Sequence, residues 1–165
     1  MGRTCFSTLI IECKSFFSLL LNQMSTRSRI ALQLTEDSFL SVYHHWDGYP
    51  QWLGVTLKKK FNTREKIAEL IDGGDISCVE SDTDWNRNKV DEHVLYYNDR
   101  GENTEPALHL NIDDYFDAGE EYAYVFTLDH EWECYDLSHS IDDDYKRTGT
   151  NARPVEIPDE YPVRS

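Results

Sequence analysis

Positive charge is scarce in this chain: 16 lysines and arginines stand against 31 aspartates and glutamates, a net charge of −15 over 165 residues. Phosphate neutralisation is the main sequence-independent source of nucleic-acid affinity, so a general nucleic-acid binder is excluded, as is docking on an anionic membrane. What remains is a small ligand, a basic protein surface, a mimic of DNA charge, or an acidic coat that keeps the protein dissolved. Cysteine is sparse and irregular. Cys5, Cys13, Cys78 and Cys134 form no CxxC pair and no regular framework, which suits a reducing compartment better than secretion. No run reaches the ~20 apolar residues that a membrane-spanning helix needs. Serine-nucleophile elbows, phosphate loops and metalloprotease helices are also missing.

Aromatic residues, by contrast, make up 13% of the chain. A chain of this length buries roughly 70% of its unfolded surface, so it can hold a core without disulfides or a structural metal. Residues 1–23 differ in composition from the rest, with Glu12, Arg3 and Lys14 as their charged residues. Glu12 and Lys14 interrupt the apolar region, and no A-x-A-like site follows, so a signal peptide fits poorly. We expect this stretch to be a non-native extension from a mis-assigned start, with Met24 as the true start. The alternative is a short apolar helix carrying Ile10, Phe17 and Leu20.

Residues 24–137 read as one α+β domain. Ser28–Leu34 and Phe39–His45 alternate as strands around the Thr35–Ser38 turn. Pro50 suits the first turn of a helix over Trp52–Phe61, and Asn62 with Glu65 reads as the capping box of a second helix. Residues 75–90 read as loop, His93–Tyr97 as a strand, and Ile112–Phe116 as a helical turn. Glu121–Leu128 and Trp132–Leu137 form a second hairpin, with Tyr122, Tyr124 and Phe126 on one face. The expected architecture is an antiparallel sheet of about five strands with two helices on one face, in the order β-β-α-α-β-β-β. Residues 138–165, rich in acids and prolines, are expected to pack loosely as a tail.

The segment His44-His45-Trp46-Asp47-Gly48-Tyr49-Pro50 concentrates ligand-type chemistry at a strand-to-helix junction. Two imidazoles and a carboxylate would suit zinc or a similar ion. Adjacent strand residues point to opposite faces, however, so His44 and His45 should not share one ion. His45 with Asp47, joined by Asp99 or Glu102, is the more realistic set. Trp46, Tyr49 and Trp52 are candidates for a stacking platform, with Arg100 or Arg27 on a phosphate. Each set also has a structural reading: Asp47 as a turn residue, one histidine in the core, the aromatics as a lid, and Asp99–Glu102 as a tight turn. The acidic groups Asp113-Asp114-Asp117 and Asp142-Asp143-Asp144 lack the spacing of a calcium loop and read as surface. Cys78 reads as a small core residue.

Five motifs occur in order: Met24-Ser25-Thr26-Arg27, His45–Pro50, Gly74-Asp75-Ile76-Ser77, Asp99-Arg100-Gly101-Glu102 and Glu121–Phe126. In these the chain resembles a family of small proteins encoded by tailed phages and prophages, over roughly residues 24–137. The resemblance implies a setting, the cytoplasm of an infected host, and carries no reaction with it. The expectation is therefore an accessory binding protein, leaning away from an enzyme. It would take a host protein or a nucleotide-like ligand through His45, Trp46, Asp47, Tyr49, Trp52, Asp99, Arg100 and Glu102, and so inhibit a host defence or regulatory system. No cofactor or metal is assigned. One alternative is a small metal-dependent hydrolase or nuclease using His45, Asp47, Asp99 and Glu102. The other is a virion structural or assembly component.

Overall fold

The computed structural model describes residues 26–79, 94–138 and 152–163. The expectations for residues 1–23 and for Asp142–Asp144 lie outside the described residues.

Alternation in the first hairpin does what its sequence demands. Strand β1 (Ser28–Thr35) pairs antiparallel with β2 (Ser38–His44), placing Ile30 opposite Val42 and Arg29 opposite Tyr43. Ile30, Leu32 and Val42 enter a large core on one face of the sheet, while Ala31 and Phe39 enter a smaller core on the other. The aromatic hairpin β6 (Tyr122–Phe126) and β7 (Trp132–Asp136) behaves likewise. Tyr124 and Phe126 join the large core; Ala123 and Val125 join the small one.

The domain is α+β, and its sheet is larger than the five strands expected. Among the described residues eight strands run β4-β3-β2-β1-β6-β7-β8, with β5 also on β2. Four of the strands are short: β3 (Ile76–Val79), β4 (Val94–Tyr96), β5 (Ala107–His109) and β8 (Arg153–Val155). The sheet is mixed, because β1 lies parallel to β6 and β2 parallel to β3. One edge of β2 is shared along its length. Its first half pairs with β5 at Phe39–Ser41, the Asp75 carboxylate accepts the Tyr43 N–H at 3.0 Å, and β3 takes over at His44.

Helices cover both faces rather than one. A π-helical turn (Pro50–Gly54) leads into α1 (Val55–Lys60), and α2 (Arg64–Asp72) follows. Leu53, Leu57, Ile67, Leu70 and Ile71 from these elements fill the large core. The cap of α2 is Thr63, whose hydroxyl accepts the Lys66 N–H at 3.2 Å, in place of the expected Asn62. On the opposite face α3 (Ile112–Asp117) buries Tyr115 and Phe116. Asn111 caps it by accepting the Asp114 N–H at 2.7 Å. At six residues α3 is about 9 Å long, too short to cover its side of the sheet.

Of the tail expected to pack loosely, residues 152–163 are described, and they pack against the domain. Ile157 is buried in the large core beyond β8. Lys58 donates to the Ile157 carbonyl at 3.1 Å and to Asp159 at 2.6 Å; Lys59 pairs with Glu160 at 3.0 Å. Among the described residues no helix is long and apolar enough to cross a membrane.

Candidate functional site

The His-Trp-Asp-Gly-Tyr-Pro segment forms the corner where β2 leaves the sheet. The backbone N–H groups of His45 and Trp46 donate to Ile76 and Ser77 of β3, at 3.1 and 3.0 Å. Asp47 then takes a left-handed conformation (φ 56°), which reverses the chain. A Cβ on Gly48 would stand 2.6 Å from Ser28 Oγ and 2.9 Å from the Thr26 carbonyl. Only glycine lets the turn close against β1, where its N–H donates to Thr26 at 2.9 Å and its carbonyl accepts the Tyr124 hydroxyl at 2.7 Å.

His44 and His45 part to opposite faces, as strand geometry requires. His44 is 1% exposed, with Nδ1 3.3 Å from Ser28 Oγ and Nε2 without a partner among the described residues. Burial, followed by the charge of His45, lowers its pKa to about 3, so it is a neutral core residue.

His45 is half-buried on the face that carries α3, beyond the reach of that helix. Its Nδ1 lies 2.7 Å from the Tyr43 hydroxyl, and its ring meets Trp46 edge-on at 4.7 Å. The Tyr97 ring is 6.5 Å from that of Tyr43, and the Arg100 guanidinium sits over Tyr97, 4.8 Å from its centre. Register brings Arg27 in from the other side. With Arg29 opposite Tyr43, residue 27 falls beside His45, and its charge acts on both Tyr43 and His45. Burial and then the charges of Arg27 and Arg100 depress the His45 pKa, so the ring is neutral near pH 7. Burial raises the Tyr43 pKa, so that hydroxyl keeps its proton.

A phenol oxygen can accept from a cation and still either donate to or accept from an imidazole nitrogen, so the Tyr43–His45 bond is compatible with both neutral forms of the ring. The result is a shelf on the sheet, floored by Tyr43, His45 and Tyr97 and flanked by two exposed guanidinium groups.

One row further along the same face the arrangement recurs under α3. Arg29 Nε donates to Ser41 Oγ at 3.0 Å, and Ser41 Oγ lies 2.8 Å from His109 Nε2. His109 Nδ1 is 3.5 Å from Asp114 Oδ2. The residue types are those of a hydrolytic triad, but Ser41 is fully buried in mid-strand and has no face open to a substrate. We assign this row to holding β1, β2, β5 and α3 together.

The expected residues are thus divided. His45 and Trp46 are in ring contact, and Arg100 lies over Tyr97. Tyr49 packs on Tyr122 at 6.2 Å, and Trp52 stacks on Tyr161 of the C-terminal segment at 6.0 Å, so Trp46, Tyr49 and Trp52 do not make one platform. The cause is the π-helical turn, which carries residues 50–54 back over β6 and the tail. Asp99 and Glu102 are exposed around the 3₁₀ turn Tyr97–Arg100. Among the described residues no three His, Cys, Asp or Glu side chains converge as a metal site. Tyr43 and Tyr97 were absent from the expected set. The strand alternation that placed Tyr43 beside His45 was the available signal for the first; nothing local marked the second.

Comparison of the chain with protein-family models, with curated proteins and with solved structures gave no match.

Proposed function

We propose that this chain is a binding protein whose shelf at Tyr43, His45 and Tyr97 receives a small phosphate-bearing, nucleotide-like ligand. One observation carries this reading: in a chain of net charge −15, two exposed arginines flank a single half-buried His–Tyr cluster. Guanidinium groups are suited to phosphate oxygens, and Trp46, which meets His45 edge-on, is the ring we assign to a base. The neutral His45 ring adds a further hydrogen-bonding group beside it. A polymeric nucleic acid would meet the acidic remainder of the surface, whereas a mononucleotide would not.

In the setting implied by the resemblance to phage proteins, the chain acts as an accessory factor in the host cytoplasm. There it sequesters a ligand on which a host defence or regulatory system depends. The reading is of a binding protein.

The experiment is release of bound small molecules from the natively expressed, purified protein, followed by mass spectrometry. A phosphate-bearing ring compound recovered near one equivalent from the wild type, and lost from Arg27→Gln/Arg100→Gln, supports the proposal. Equal recovery from the double variant, or release of a cationic or uncharged compound, overturns it.

A further inference from the structure

A second surface lies at the other end of the sheet. Five large apolar side chains are exposed among the described residues, and four of them gather there: Leu34 (39% exposed), Leu108 (56%), Leu110 (67%) and Leu128 (40%). Register places them. Leu32 pairs with Phe126 in the parallel β1–β6 ladder, so Leu34 and Leu128 both stand two residues beyond one row. Gln33, Phe39 and His109 form the next row across β1, β2 and β5, and Leu110 follows it directly. The Leu128 N–H donates to Gln33 Oε1 at 3.1 Å, drawing the β6–β7 turn against the end of β1. From β5 to β6 the leucines span three strand spacings, roughly 14 Å.

Carboxylates ring this patch. Glu36 and Asp37 form the β1–β2 turn, Asp129 and Glu131 stand in the β6–β7 turn, and Asp113 lies just past Leu110; all five are exposed. Arg64 reaches the same end, but its guanidinium is half-buried and donates to the Gln33 carbonyl at 2.7 Å. The field over the leucines is therefore negative. An exposed apolar centre with a charged rim is the anatomy of a protein-docking surface.

We infer that this end of the sheet docks a partner protein whose contacting surface has an apolar centre ringed by lysine and arginine. A second copy of this chain would set one acidic rim against another, a like-charge contact that costs several kcal/mol. A nucleic acid offers neither apolar centre nor positive charge. The surface lies at the opposite end of β2 from the shelf, so ligand and partner can be held together. The inference stands independently of the ligand reading.

The test uses the full chain with leucine methyl groups labelled for NMR and, as probe, a synthetic amphipathic peptide of alternating leucine and lysine blocks. Shifts should be confined to Leu34, Leu108, Leu110 and Leu128 and the turns around them. Leu34→Asp and Leu110→Asp should each weaken binding about tenfold or more, and Val163→Asp should leave it unchanged; amide spectra check that the variants are folded. The sign is decisive, because a purely electrostatic attraction for the peptide would be strengthened by an added aspartate. Shifts spread over the other acidic faces, or unweakened binding by the leucine variants, overturn the inference. So does a dimer of the protein alone that Leu110→Asp dissociates, since the occupant is then a second copy.

Discussion

The Tyr43 hydroxyl and His45 Nδ1 share a hydrogen bond of 2.7 Å on one face of β2, two residues apart. Burial holds the proton on Tyr43, and we expect the phenol to donate it to Nδ1, a relay that leaves the His45 proton on Nε2. Long-range proton–nitrogen correlation at pH 7 should show the Nε2–H form dominating at His45. Tyr43→Phe removes the donor to Nδ1, and a mixture of the two neutral forms should replace it. An unchanged Nε2–H signal in the variant would contradict the relay.

His44 makes the protein acid-sensitive. Its pKa is about 3 in the folded chain, lowered first by burial, against about 6.5 when unfolded. A depressed pKa means that the unfolded chain binds the proton first. The His44 contribution is complete above pH 6.5 and falls as pH drops toward 3, at roughly 1.4 kcal/mol per pH unit. Denaturant midpoints for the wild type and for His44→Leu, compared between pH 7 and pH 5, isolate this residue from other titrating groups. The wild type should lose more stability over that interval; parallel profiles would show that His44 is accessible to protons in the folded state.

The row Arg29–Ser41–His109 is expected to act on stability alone. Ser41→Ala leaves the part-buried Arg29 Nε and the buried His109 Nε2 without their shared partner, a cost of about 1–3 kcal/mol by chemical denaturation. A fluorophosphonate probe for activated serines should leave the folded protein unlabelled, because Ser41 has no exposed surface. Labelling at Ser41 would reopen the hydrolase reading.

The C-terminal segment should behave as part of the domain. Ile157 is 7% exposed and touches the space beside Gly54. Ile157→Ala is expected to destabilise by about 2–5 kcal/mol. Asp159→Ala, which breaks an exposed ion pair with Lys58, should change stability far less. Comparable losses from both would mean that charge, and not the buried isoleucine, holds the segment.

Much of this fold could be read from local pattern. Alternation in residues 28–45 and 122–137 gave both hairpins and the opposite faces of His44 and His45, because period-two burial is written directly into a strand. The parallel contact of β1 with β6 could not be read. It joins Ser28 to Tyr122 across most of the domain, and nothing in either strand names its partner. Strands β3, β5 and β8 have four, three and three residues, too few for a periodic signal. At the candidate site His45 touches its neighbour Trp46 and Arg100 lies over Tyr97, whereas Tyr49 and Trp52 were carried off by a π-helical turn that their composition does not announce.

The central claim is a nucleotide-like ligand on the shelf, and NMR titration of the full chain tests it most directly. Adenosine monophosphate, adenosine and inorganic phosphate are added separately at pH 7. The account predicts saturable shifts with the monophosphate at Tyr43, His45, Trp46, Tyr97 and Arg100, weaker binding of either fragment, and at least about a tenfold loss in Arg27→Gln and in Arg100→Gln. Saturable binding centred on other residues, or identical affinity in the arginine variants, would contradict it.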